Sequence, residues 1–223
     1  MNNPPKVRGW HGISFLSSYA FSKSLDNLSS DTQGFSSQDP RNNNLEKGPS
    51  DYDQRHRWVT SLNYVLPMAQ NRRDFLGRVV HGWEIGSIVT WQTNTPFTPS
   101  ISTDPANTGN SKRPNRIASG TVADPTINLW FNPAAFAVPA AYTYGNSARN
   151  ILYGPTHVNW DALAMRVFPI KDRLNIQFRG EFFNFTNTPS FNGPVTNIQA
   201  ANVGHITSAG APRDIQLALK LLF

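Results

Sequence analysis

The last nine residues of the chain, Ile215-Gln-Leu-Ala-Leu-Lys-Leu-Leu-Phe223, put an apolar side chain at every second position and stop on a phenylalanine. Side chains alternate across a strand with period two, so Ile215, Leu217, Leu219, Leu221 and Phe223 share one face. Gln216, Ala218 and Lys220 take the other. A soluble domain seldom stops on the last residue of a hydrophobic strand, because chain ends fray. A transmembrane barrel has the opposite need: its final strand closes the sheet and turns one apolar face to lipid. The segment predicts an all-β fold, an antiparallel up-and-down transmembrane barrel.

Composition agrees. Of 223 residues, 39% are hydrophobic and only 15% charged, with 12% aromatics, 15 Gly and 17 Pro, which suits neither a helical bundle nor a disordered chain. Mean hydropathy is −0.42, and no apolar run approaches the ~20 residues of a membrane helix. That excludes helical spans but not β spans, whose alternating signal averages out. The net charge of +6 invites a nucleic-acid reading. The basic residues are scattered (Arg55/Arg57, Arg72/Arg73, Arg113/Arg116, Arg166), with no basic helix or aromatic-basic ribonucleoprotein motif, and no nucleic-acid partner is expected. Absence of cysteine removes disulfide frameworks and thiolate metal sites. The stretch Met1-Asn-Asn-Pro-Pro-Lys6 has no apolar core, so it does not read as a secretory signal.

Six segments read as strands: 10–22, 56–66, 80–92, 158–168, 173–185 and 213–223, with room for a seventh. Most alternate cleanly. Leu174, Ile176, Phe178 and Phe182 oppose Asn175, Gln177, Arg179 and Glu181, as a wet lumen opposite lipid requires. The segment 158–168 is ambiguous, because Leu163 and Met165 share a face with Asp161. Connections of about 33, 12, 65, five and 27 residues alternate long and short, against a usual hairpin loop of two to five. Barrels of the outer membrane have long extracellular loops and short periplasmic turns. Gln70–Arg78 and Pro169–Arg173 then become periplasmic turns, and 93–157 an irregular extracellular loop with a short helix or turn near Asn132–Phe136. Six strands fall short of the eight that close a single-chain barrel. Residues 1–223 are therefore expected to be the C-terminal portion of a larger barrel domain, without plug or signal peptide.

Little in the chain suggests catalysis. Asp51, Asp53, Arg55, His56 and Arg57 form the densest charged cluster, read as a rim of ion pairs that fixes loop and register rather than as a metal site. His11, His56, His81, His157 and His205 are isolated, so no metal ligand set is indicated. Nucleophile-elbow, phosphate-loop and penicillin-binding motifs are missing. Arg179 and Glu181 read as a lumen-facing pair. Trp10, Trp58, Trp83, Trp91 and Trp160 lie near strand ends, where aromatic girdles belong. No enzyme activity and no cofactor are expected.

Five motifs carry a resemblance. At Ser50-Asp-Tyr-Asp-Gln-Arg-His-Arg-Trp-Val59, Gly82-Trp-Glu-Ile-Gly86 with Thr95-Pro-Phe-Thr98, Trp130-Phe-Asn-Pro-Ala-Ala-Phe136, Gly145-Asn-Ser-Ala-Arg-Asn150 and Arg179-Gly-Glu-Phe-Phe-Asn-Phe-Thr-Asn187, the chain resembles TonB-dependent outer-membrane receptors. In particular it resembles the subtype that carries an N-terminal carboxypeptidase-regulatory-like domain and is common in acidobacteria. The tail resembles the signal through which assembly machinery recognises outer-membrane barrels. Membership would imply a 22-stranded barrel with an upstream plug and TonB-contacting segment, location in the outer membrane, and contact with lipid, lipopolysaccharide and the assembly machinery. TonB itself would be met only through the upstream part. The competing reading is a secreted or periplasmic β-sandwich binding module, for carbohydrate, with the aromatics as core and platform.

Overall fold

The computed structural model describes residues 12–29, 37–68, 74–110, 112–171 and 174–223. Six long strands form one antiparallel sheet: β1 (Ile13–Phe21), β2 (His56–Val65), β3 (Glu84–Gln92), β4 (His157–Lys171), β5 (Leu174–Phe183) and β6 (Asp214–Leu222). Among the described residues each pairs with its neighbours in this series, in the order β1-β2-β3-β4-β5-β6. Among the described residues no second large sheet packs on the six-stranded one, so the competing sandwich reading is overturned.

Directly opposed residues in an antiparallel pair project to the same side, so the register can be followed across the whole wall. One path runs Phe15, Leu62, Ser87, Ala162, Phe182, Ile215; the next runs Ile13, Tyr64, Ile85, Ala164, Gly180, Leu217. Tyr19, Trp58, Trp91 and Val158 form a third, and Arg166, Phe178 and Leu219 a fourth. All lie on one face, which is apolar almost throughout. The opposite face carries Ser14, Asn63, Gly86, Leu163, Glu181 and Gln216 along one path, and Val65, Glu84, Met165, Arg179 and Ala218 along another. The ambiguity in β4 is thereby resolved: Leu163 and Met165 line the polar face, where Leu163 packs over Gly86.

Among the described residues, much of the apolar face is uncovered. Phe15 is 64% exposed, Leu217 68% and Leu219 74%. Burying one such side chain is worth about 1.5–3 kcal/mol, so this sheet needs an apolar medium against it. Two indoles on the face are already partnered: the Trp58 N–H donates to Ser17 Oγ at 2.7 Å and that of Trp160 to Ser87 Oγ at 2.8 Å. In hydrocarbon, where no water replaces them, such bonds are required.

The buried hydrophobic core lies elsewhere, in the loop between β3 and β4. Phe131, Ala135, Phe136 and Leu152 form it, with Phe97, Ile151, Ile198 and Val203 packed around them. Phe131 meets Phe97 at a tilt and Phe136 edge-on, at centroid distances of 5.6 and 6.0 Å. Two-residue ladders join Leu25–Asp26 to Gly48–Pro49, Pro96–Phe97 to Leu152–Tyr153 and Asn115–Arg116 to Phe136–Ala137. The expected short helix is the 3-10 turn Pro133–Ala135, whose preceding Asn132 side chain accepts from the Ala134 amide.

Two expectations need correction. The predicted strand 80–92 begins at Glu84, and Val80 instead ends a helix, α1 (Phe75–Val80). Asp74 causes this: its side chain accepts the Gly77 amide as a helix N-cap. The turn expected at Pro169–Arg173 is shorter, because β4 continues through Lys171 with a bulge between Pro169 and Lys171 that accommodates the missing proline N–H. Trp10 and His11, the Gln70–Arg73 part of the first turn, and Asp172 and Arg173 lie outside the described residues.

Candidate functional site

Two regions can act on something outside the chain: the wall and the loop layer above it. In the wall, Ile215, Leu217, Leu219 and Leu221 all lie on the apolar face, opposite Phe182, Gly180, Phe178 and Ile176. Leu222 is on the other face, opposite Asn175. Phe223 follows the last ladder residue and is 98% exposed. Trp58, Trp83, Trp91 and Trp160 share the apolar face by register and alternation. On the polar face the Arg179 guanidinium donates to Glu181 at 2.6 Å, beside a depression of about 250 Å³ lined by Ser61, Asn63, Asp161 and Leu163.

In the loop layer, segments far apart in sequence meet through buried charge. Arg113 donates to Glu46 Oε2 at 2.6 Å, with both side chains nearly inaccessible (3% and 2%). Gln38 completes the group: its amide N–H donates to Glu46 Oε1, its side-chain carbonyl accepts from Arg113 Nε, and its side-chain N–H donates to the Gly145 carbonyl. A Cβ on Gly145 would fall on the Arg113 and Pro114 carbonyl oxygens, so only glycine permits this approach. Arg149 does the same work a few residues on. It donates to the Glu46 carbonyl, Ser29 Oγ, Asp51 Oδ1, and both the carbonyl and carboxylate of Asp26. Asn150, at φ 55°, donates from its side chain to Pro49 O and Asp51 Oδ1 and accepts from Thr98 Oγ1. Asparagine tolerates this left-handed backbone better than most residues.

The five-residue charged cluster is divided between these systems. Asp51 joins Arg149 and Asn150. Asp53 is buried and accepts from the Ser24 amide (2.7 Å), Arg55 Nε (3.1 Å) and Tyr153 Oη (3.0 Å). Burial alone would raise its pKa, but these hydrogen bonds together outweigh it and hold the carboxyl below its usual value. Burial, then the bond to Asp53, pushes the Tyr153 hydroxyl up. Burial also opposes ionisation of Asp26, and the bonds from Ser29 and Arg149 overcome it. His56 leaves the cluster: it meets Tyr19 Oη at 2.7 Å and the rings of Phe21 and Trp91. Arg57 is exposed on the polar face, opposite Ala20 and Gln92.

Sequence reasoning missed Asp26, Gln38, Glu46 and Arg113, which sit in loops without periodicity. A usable signal existed in the Gly145–Asn150 and Ser50–Val59 motifs, which this clamp joins. The Arg179–Asn187 motif also has a local role: Asn184 turns the chain out of β5, its side chain bonded to Thr188, and Asn187 accepts the Arg213 amide just before β6.

Above the polar face, a cavity of about 370 Å³ is lined by Gln92, Asn94, Phe97, His157, Ser190 and Asn192. His157 Nδ1 and Ser190 Oγ lie 2.6 Å apart, tying β4 to the loop between β5 and β6. The arrangement can hold and orient a molecule at the mouth of the wall. Residues 6–216 match the family described as "Outer membrane beta barrel domain". No curated protein and no solved structure matches the chain.

Proposed function

The chain belongs to the outer membrane beta barrel domain family and resides in the bacterial outer membrane, and we propose that it forms the C-terminal wall and extracellular loops of a TonB-dependent transporter. The observation that carries the reading is the six-stranded sheet with one continuous apolar face. Six strands cannot close a single-chain barrel, and an unpaired edge in hydrocarbon leaves backbone groups unsatisfied at several kcal/mol each. Among the described residues β1 and β6 each pair on one side only, so further strands complete the wall. The five motifs and the clamped loop layer support a receptor whose mouth meets a ligand before uptake. The chain's own task is structural: lipid-facing wall, polar lumen, loop mouth, and a tail that starts insertion through the assembly machinery. Lipid and lipopolysaccharide are its surroundings, and contact with TonB falls to other parts of the transporter.

Growth profiling tests the energy coupling. A strain lacking this gene should fail only on nutrient or metal sources on which a strain lacking TonB also fails. Failure on a source that the TonB-deficient strain still uses would overturn the reading in favour of a passive porin. Steady open-channel conductance of the intact protein in planar bilayers would do the same.

A further inference from the structure

We propose that α1, in the periplasmic connection between β2 and β3, is a foot that inserts into the phospholipid monolayer of the periplasmic leaflet. The wall has a step at this point. The first residue of β3, Glu84, pairs with Met165, while β4 continues to Lys171. At a rise of about 3.3 Å per residue, β4 and β5 project about 20 Å beyond the β2–β3 end. The helix lies in this step, on the apolar side. Its Val79 carbonyl accepts from two donors, the Trp83 indole at 3.0 Å and the Arg166 guanidinium. Register puts Arg166 on the apolar face, opposite Phe178, and Trp83 meets Phe178 edge-on at 5.9 Å. The helix therefore rests against the outer surface of the wall and not in its lumen.

Each partner solves a problem for the other. A cation on a lipid-facing surface is costly unless paired, and the last carbonyls of a helix lack intrahelical donors. Arg166 also lies over the Phe168 ring, 4.4 Å from its centroid. Held this way, α1 turns its own apolar residues outward: Phe75 is 78% exposed, with Val79 and Val80 beside it. That surface lies on the same side of the sheet as the apolar face of the wall. Arg72, Arg73 and Arg78 fall in the same short stretch of sequence, a composition that suits an anionic headgroup layer. A short helix that exposes Phe75, Val79 and Val80 suits an interface rather than a span.

These 223 residues hold no cysteine, so single nitroxide labels can be placed in them once any cysteine elsewhere in the intact protein is replaced. The intact protein would be reconstituted in phosphatidylethanolamine–phosphatidylglycerol liposomes and labelled at Phe75→Cys, with Leu219→Cys as lipid reference and Tyr142→Cys as water reference. Collision rates with oxygen and with a water-soluble nickel chelate are then compared. The oxygen-to-nickel ratio at Phe75→Cys should be close to that at Leu219→Cys and far above that at Tyr142→Cys. A ratio equal to the water reference, or protection from both reagents as under a protein partner, would overturn the proposal. Arg166→Gln should lower the ratio at position 75 and leave position 219 unchanged. If that variant fails to insert, the Phe75→Cys measurement in the parent decides alone.

Discussion

Removing the Arg113 side chain tests whether the loop layer is held by buried charge. Glu46 is 2% exposed and accepts from Arg113 at 2.6 Å and from the Gln38 amide at 2.8 Å. Arg113→Met keeps most of the volume but leaves the carboxylate buried without its cation. Breaking one partner of a buried pair costs about 3–5 kcal/mol. At 1.4 kcal/mol per tenfold, that raises the equilibrium constant for loop opening by roughly two to four decades. The whole barrel need not unfold, so the readout must be local: hydrogen exchange at the Gln38 amide, which donates to Glu46, and at the Ser147 amide, which donates to the Pro114 carbonyl. The double variant Arg113→Met with Glu46→Met should recover much of the loss at the Ser147 amide, because no unpaired charge remains. The exposed pair Arg179–Glu181, with side chains 46% and 28% accessible, gives the scale for comparison: Arg179→Met should cost about 0–1 kcal/mol. Exchange at Gln38 changed by less than tenfold in Arg113→Met, or a double variant as unstable as the sum of the singles, would refute the reasoning.

Three further outcomes follow from the same structure. The Asp53 carboxyl titrates below its unfolded value of about 3.9, so its contribution is complete above that pH and is lost as pH falls through the lower folded value; the Ser24 amide, which donates to it, should be protected from exchange at pH 6 and lose protection below about pH 4. Phe178→Arg should cost about 2–4 kcal/mol if it lies near the bilayer midplane, while Gln177→Arg, on the polar face, should be nearly neutral by urea unfolding in liposomes. Deleting Phe223 or making Leu221→Asn should reduce the yield of heat-modifiable, membrane-embedded protein far more than Leu222→Asn, since Leu222 is on the polar face; equal yields from all three would make the tail an ordinary strand.

The wall could be read from sequence because a strand with one face in lipid must alternate, and period two survives in a single chain. β1, β2, β5 and β6 were found within a few residues for that reason. β4 was harder, since Leu163 and Met165 put apolar bulk on the polar face, and only pairing with Gly86 and Glu84 fixes their side. α1 was missed because Val79 and Val80 favour a strand locally, whereas one capping bond at Asp74 and the Arg166 contact decide for a helix. The clamp was beyond reach for a different reason. Gln38, Glu46 and Arg113 are polar residues in loops, which a sequence reading assigns to solvent, and their burial depends on partners 67 and 75 positions away.

The central claim is that one face of this sheet meets lipid. Single cysteines at positions 216 to 221, each carrying an environment-sensitive fluorophore in the intact reconstituted protein, measure it directly when quenched by brominated phospholipid. Positions 217, 219 and 221, which follow the apolar face, should be strongly quenched, and positions 216, 218 and 220 weakly, a period of two along the strand. Uniform quenching, or quenching confined to the even positions, would contradict the account.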